Sequence, residues 1–153
     1  MRGRRGGFTF VEILTSMTIV AILAGIVIPK TGDFIKQARA AAIVADISAI
    51  HEGLVFYYSD STDFPPSGAM GLAPAALANY LPPNFSFVKP EYQLQYEKWT
   101  LTTPLGAYPA TSTIVAVTVQ TGDARLGQLV MAQMAATPHF QSGDEYTFII
   151  DGL

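Results

Sequence analysis

The chain has 153 residues, enough for one compact domain and an extra segment but too few for two ordinary domains. It contains no cysteine, which excludes disulfides, thiol chemistry and Cys-based zinc sites, and leaves the fold to rest on its core. Its formal charge of −3 becomes −6 once the leader arginines Arg2, Arg4 and Arg5 are set aside, so the remainder is acidic and offers no basic patch for nucleic acid.

In chain order, the basic leader ends at Gly6 and Gly7, and hydrophobicity begins at once over residues 8–28. At ~1.5 Å rise per residue this run measures ~31 Å as a helix, about the hydrocarbon thickness of a bilayer. Arginines ahead of the span keep the N-terminus cytoplasmic and send everything after Pro29 outward. Thr15, Ser16 and Thr18 are mild interruptions, because their hydroxyls can bond back to helix carbonyls. Glu12 is the anomaly. A charged side chain costs ~2.5–3.5 kcal/mol at the bilayer centre and less near its edge, so this one is expected to have a task. A secretory signal would be cut after its apolar region at an A-x-A pattern, yet Ala38-Arg39-Ala40 lies well downstream and reads as helix. The small residues precede the apolar run instead, and cleavage after Gly7 would keep the hydrophobic segment as the mature N-terminus.

Gly7-Phe8-Thr9-Phe10-Val11-Glu12 resembles the class III leader junction of type IV pilins and of the pseudopilins of type II secretion. The motif is short but specific, because basic leader, glycine, phenylalanine, acid and apolar run occur in fixed order. The resemblance implies that a prepilin peptidase cuts between Gly7 and Phe8, that the new Phe8 amine is methylated, and that Glu12 serves filament assembly. Pro29 also matches the family, as the kink of its spine helix. The implied partners are copies of the chain and related pilins, the prepilin peptidase, an inner-membrane assembly platform and membrane lipid. The implied location is the bacterial inner membrane, single-pass, with a cytoplasmic N-terminus and a periplasmic head, and then a filament. The lack of cysteine departs from the disulfide loop common in major pilins, and the retained Glu12 differs from tip-type pseudopilins.

Beyond the span, Pro29 lacks an amide hydrogen and should kink the helix, helped by Gly32. Ile43, Ile47, Ile50, Leu54 and Tyr57 then recur at spacings of four and three, one apolar stripe of a helix, with Lys36, Arg39, Asp46 and Glu52 on a solvated face. Residues 59–90 read as a linker punctuated by prolines, glycines and aspartates, in which the alanine-rich 72–80 could form a short helix. Asp63-Phe64-Pro65 is similar to a turn that pseudopilins have at this point. Tyr92, Leu94 and Tyr96 alternate with polar residues as a half-buried strand, and Trp99 and Leu101 would continue its apolar side only through a bulge near Lys98. Residues 113–120 are β-branched and apolar, a central strand. Asp123 is predicted to cap a helix over 125–136 that buries Leu126, Leu129, Val130 and Met134. Residues 145–151 form a last strand with Tyr146, Phe148 and Ile150 on one face.

The predicted fold is α+β and pilin-like: a long N-terminal spine helix whose C-terminal half packs on a small antiparallel sheet of three to four strands. The predicted division is a leader at 1–7, the transmembrane and assembly half of the spine at 8–28, its amphipathic half at 29–58, and the loop and sheet of the head at 59–153. No catalytic motif is present, and His51 and His139 sit far apart, one on the spine and one in a loop. No cofactor is expected. Asp144, Glu145 and Asp151 raise calcium, which major pseudopilins bind near the C-terminus, but they lack the clustered oxygen ligands calcium needs. Tyr57, Tyr58, Tyr92, Tyr96 and Trp99 are read as packing rather than as a ligand surface. The competing reading is a signal-anchored periplasmic binding or catalytic domain that does not assemble, and Glu12 is the residue expected to discriminate.

Overall fold

Helix α1 (Phe10–Ser61) is followed by β1 (Gln93–Thr100), β2 (Thr113–Gln120), α2 (Ala124–Gln133), β3 (His139–Ser142) and β4 (Glu145–Gly152). The structure, a computed structural model, describes residues 7–104 and 109–152, with no side chains for 26–31 and Gly152. The leader arginines, Gly6 and the bend expected at Pro29 therefore lie outside the described residues. The chain divides into two compact units, Met1–Lys36 and Gln37–Leu153.

In the first unit, the large apolar side chains of α1 from Phe10 to Leu23 are exposed, and Phe8 ahead of them is too. The hydroxyls of Thr15, Ser16 and Thr18 donate to the carbonyls of Val11, Glu12 and Leu14, each at 2.8 Å, so none presents an unsatisfied donor.

The second unit is a helix-on-sheet head. The strands run β1-β2-β4-β3, antiparallel throughout. Leu94 and Tyr96 of β1, Val115, Val117 and Val119 of β2, and Tyr146 and Phe148 of β4 share one face and form a single core with Ala40, Ile43, Ile47, Ile50 and Leu54 of α1. The 3–4 stripe in the helix thus meets the period-2 face of the sheet, which is the physical content of an α+β core. Gly32–Ser61 is also long and apolar enough to cross a membrane by length and composition, at a mean hydropathy of 1.4. From Ala40 onward its stripe is spent on this core, and the part from Gln37 on belongs to the head.

Helix α2 adds Leu126 and Val130 to the core and starts where Asp123 Oδ1 accepts from the amides of Arg125 (3.0 Å) and Leu126 (3.3 Å). It ends at Gln133, short of the expected 136, and Leu129 and Met134 are only half-buried. Gly127 is required by its surroundings: a Cβ there would fall within the ring of Tyr146.

Four features differ from the sequence reading. The alanine-rich 75–80 is a run of tight turns, with Leu77 N–H on Pro74 O and Tyr80 N–H on Leu77 O at 2.9 Å, because successive four-residue turns let the buried Leu77 reach the core without a helix. Strand β1 has no bulge at Lys98; it pairs regularly from Gln93↔Gln120 to Thr100↔Thr113. Trp99 therefore stays on the face opposite Tyr96, and its ring lies 6.3 Å from that of Phe140. His139 opens an edge strand, β3, rather than lying in a loop; all four of its residues are exposed. Arg39 and Asp46 are more than a solvated face: Arg39 pairs with Glu91 at 2.6 Å, while Asp46 accepts from Tyr92 Oη at 2.6 Å and lies 3.6 Å from Lys89, tying the entry of β1 to α1. Burial first, and then the bond to Asp46, push the Tyr92 phenol above its ordinary range.

The turn after α1 closes the head's other end. Thr62 takes a left-handed φ of 59° and donates to Tyr58 O at 2.8 Å. Asp63 Oδ1 then accepts from Phe64 N–H and from Lys98 Nζ, both at 2.7 Å, so the Lys98 stem covers the core while its ammonium leaves it. The following segment runs along β1: Gly68 N–H donates to Tyr96 O and Gly71 N–H to Leu94 O, both at 2.9 Å. The β1 edge of the sheet is thereby occupied, whereas β3 is an open edge of four residues.

Candidate functional site: the start of the spine helix

The residues singled out at the N-terminus are Gly7, Phe8, Glu12 and Pro29. Gly7 and Phe8 are exposed and non-helical, and the helix starts two residues later at Phe10. A Cβ at Gly7 would meet nothing within 4 Å, so the folded chain gives no steric reason for glycine at this position. Pro29 lies in α1, among the residues with no described side chain.

Glu12 sits in the first turn and is engaged locally. Its Oε2 accepts from Thr9 N–H at 2.8 Å and from Thr9 Oγ1 at 2.9 Å, and its own N–H donates back to Thr9 Oγ1 at 3.2 Å. The carbonyl of Thr9 accepts the first helical bond, from Ile13 N–H at 3.2 Å. This is a capping box, in which Thr9 and Glu12 reciprocally satisfy amides that the helix start would leave open. Glu12 therefore has work to do in a single chain, and its presence alone does not separate an assembling subunit from a lone anchor. Thr9 was missed by the sequence reading although the T-x-x-E spacing before an apolar run was there to be seen.

The other candidates do not converge. His51 is half-buried on α1 and His139 lies on the edge strand, where its Nδ1 is 2.8 Å from Thr137 O. Asp144 and Glu145 stand at the start of β4 and Asp151 near its other end, and among the described residues no three potential ligands gather around one point. Two surface notches, of about 290 and 250 Å³, are lined by Lys89, Glu91, Tyr92 and Asp144 in one case and by Glu52, Phe56 and Tyr80 in the other. Neither includes a histidine.

The prokaryotic N-terminal methylation motif matches residues 2–28. The chain is 31% identical over 87 residues to the type II secretion system core protein G of Pseudomonas aeruginosa. That similarity covers 56% of this chain and 61% of that protein, so the chain spans less than two thirds of its curated relative. No solved structure matches. The chain thus joins a prokaryotic N-terminal methylation motif to an α+β, pilin-like architecture, and it is similar to a core protein of type II secretion.

Proposed function

We propose that this chain is a structural subunit, a pilin or pseudopilin, of a membrane-extruded helical filament of the type IV pilus and type II secretion class. In this reading a prepilin peptidase removes residues 1–7, the Phe8 amine is methylated, and the span 8–28 holds the subunit in the inner membrane with its head outside until assembly. Its role is structural rather than catalytic, and its partners are its own copies, related pilins and the membrane platform that extrudes them. The observation that carries the reading is the match of the methylation motif to residues 2–28, together with a glycine at its junction that the folded chain does not require.

In the filament, apolar arms bundle and exclude water, and a carboxylate facing a neighbour's Phe8 amine is a charge-assisted contact in low dielectric. One such pair fixes axial register, as a single buried polar residue does in a coiled coil. The capping box keeps open the second reading, a singly anchored domain, because it gives Glu12 a purpose without any neighbour. The two separate cleanly by substitution. Glu12→Gln keeps the capping geometry, since glutamine also serves in a capping box, but removes the charge; Thr9→Val removes the cap and keeps the charge. For an assembling subunit, Glu12→Gln and Glu12→Val both fall sharply in the ratio of sheared-filament to membrane-held protein, while Thr9→Val falls less. If Glu12→Gln assembles like the unmodified chain and only the cap-breaking variants suffer, the pairing idea is wrong. Intact mass of the membrane-extracted protein reads the processing directly: a chain that begins at Phe8 and carries one methyl group is expected, and one that still begins at Met1 overturns it.

A further inference from the structure

Removal of the leader acts on one peptide bond, between Gly7 and Phe8, and that bond stands outside the helix for a local reason. In an α-helix each amide donates to the carbonyl four residues back, so a helix that reached the junction would draw Val11 N–H onto Gly7 O and Glu12 N–H onto Phe8 O. Among the described residues neither bond forms. Glu12 N–H goes to Thr9 Oγ1 at 3.2 Å instead, and the first helical bond is the one from Ile13 N–H to Thr9 O. Glu12 Oε2 holds Thr9 from the other side, through its N–H and its hydroxyl. Phenylalanine and threonine are only moderately poor helix formers, so Phe8 and Thr9 do not stop a helix by preference alone. The cap does, and it leaves Gly7 and Phe8 exposed and non-helical.

We propose that Thr9 is a positioning residue for leader removal: by starting the helix at Phe10 it keeps the Gly7–Phe8 bond out of the helix and its carbonyl open to the peptidase. The inference rests on the processing proposed above. Hydrolysis breaks the C–N bond between Gly7 and Phe8; one water supplies the oxygen of the new Gly7 carboxylate, and its two protons end on the Phe8 amine. Negative charge develops on Gly7 O during that step and has to be met by hydrogen-bond donors of the enzyme. A carbonyl already bonded to Val11 N–H inside a helical turn offers those donors no approach, whereas exposed, irregular backbone is where proteases cut. The apolar run has to be a helix to satisfy its own backbone in lipid. Thr9 lets it be one without drawing in the bond that must be cut just ahead of it.

The test follows the full chain in detergent micelles with purified prepilin peptidase. It reads the initial rate of leader loss by intact mass and, in isotope-labelled chain without enzyme, the backbone carbon shifts of Gly7 and Phe8. Thr9→Val keeps the shape and removes the capping oxygen, while Thr9→Ser keeps the cap. Adding Phe10→Pro to Thr9→Val stops the helix by another device, because proline fits the first helical position and holds the residue before it out of the α region. The expected result is that Thr9→Val moves Gly7 and Phe8 toward helical shifts and slows cleavage several-fold, that Thr9→Ser changes neither, and that Phe10→Pro restores both in the Thr9→Val chain. Thr9→Val cut at the unmodified rate overturns the role of Thr9 and leaves the processing standing. Slow cleavage with Gly7 and Phe8 still non-helical also overturns it, since the peptidase then reads the hydroxyl itself. If Phe10→Pro alone blocks cleavage, the enzyme rejects proline there, and the shifts of Thr9→Val decide between these outcomes. An unmodified chain that the peptidase leaves uncut, or cuts elsewhere than after Gly7, ends the processing reading and this inference with it.

Discussion

The two units of this chain use the same residue types in opposite ways. In the first unit, valine, isoleucine, leucine and methionine stand exposed on helix α1, while in the head isoleucine and leucine at 3–4 spacing are buried against valines and aromatics of a sheet. What differs is pattern rather than hydrophobicity: an all-round apolar helix needs an apolar surrounding, whereas a one-sided helix supplies its own. The same helix can therefore belong to two solvents without a change of secondary structure.

Truncation of buried side chains should break the symmetry most strongly. Ile50→Ala, at a fully buried position, is expected to cost the head about 2–5 kcal/mol, read as a lower midpoint in chemical denaturation of detergent-solubilised protein. The same chemical change in the arm, Ile19→Ala, should leave that midpoint where it was. Equal effects would mean that the two units unfold together.

Glycines sharpen the contrast by the sign of the effect. Gly127→Ala drives a methyl group into Tyr146 and should destabilise the head by about 1–3 kcal/mol, even though alanine is the better helix former. Gly25→Ala meets nothing within 4 Å, so only the helix preference of ~1 kcal/mol acts and the arm should gain helicity in detergent. A neutral Gly127→Ala would show that the α2 packing on β4 is loose.

The smallest effect concerns charge at the head's far end. The hydrogen bond from Lys98, and then that from Phe64 N–H, hold the Asp63 carboxyl below the ordinary carboxylate value. A depressed pKa favours the folded state above the unfolded carboxylate value, and that contribution is lost as pH falls through the lower folded value. Because the carboxylate is exposed to solvent, the change in stability should be small, and the informative measurement is the Asp63 titration midpoint by NMR. It should lie below 3.8 and rise toward it in Lys98→Met; no change would remove Lys98 as the cause.

Elements with a strong period were legible in the sequence. Ile43 through Leu54 and residues 113–120 announced themselves because each buries one full face, or both, and so leaves a repeating signal. Lys98 misled because a charged residue at a strand end can lie on the core side and send its ammonium to Asp63, so no bulge is needed to remove it. Strand β3 left no signal: His139, Phe140, Gln141 and Ser142 are all exposed, and their pairing with β4 comes from the hairpin turn through Gly143 rather than from burial. At the candidate site the acid was found but its partner was not. A charge in lipid is a stronger signal than a T-x-x-E spacing, although Thr9 is the local partner of that acid.

The segment that lies along β1 has a consequence for crowding. Heads gathered side by side at a membrane, or along a filament, are at concentrations where exposed strands recruit one another into continuous sheets. Here the amides of Gly68 and Gly71 already occupy carbonyls of β1, and what is left on the opposite side is a strand only four residues long. A sheet with one sealed side cannot propagate through it. On the β1 side, two such heads can meet only by contact between finished surfaces.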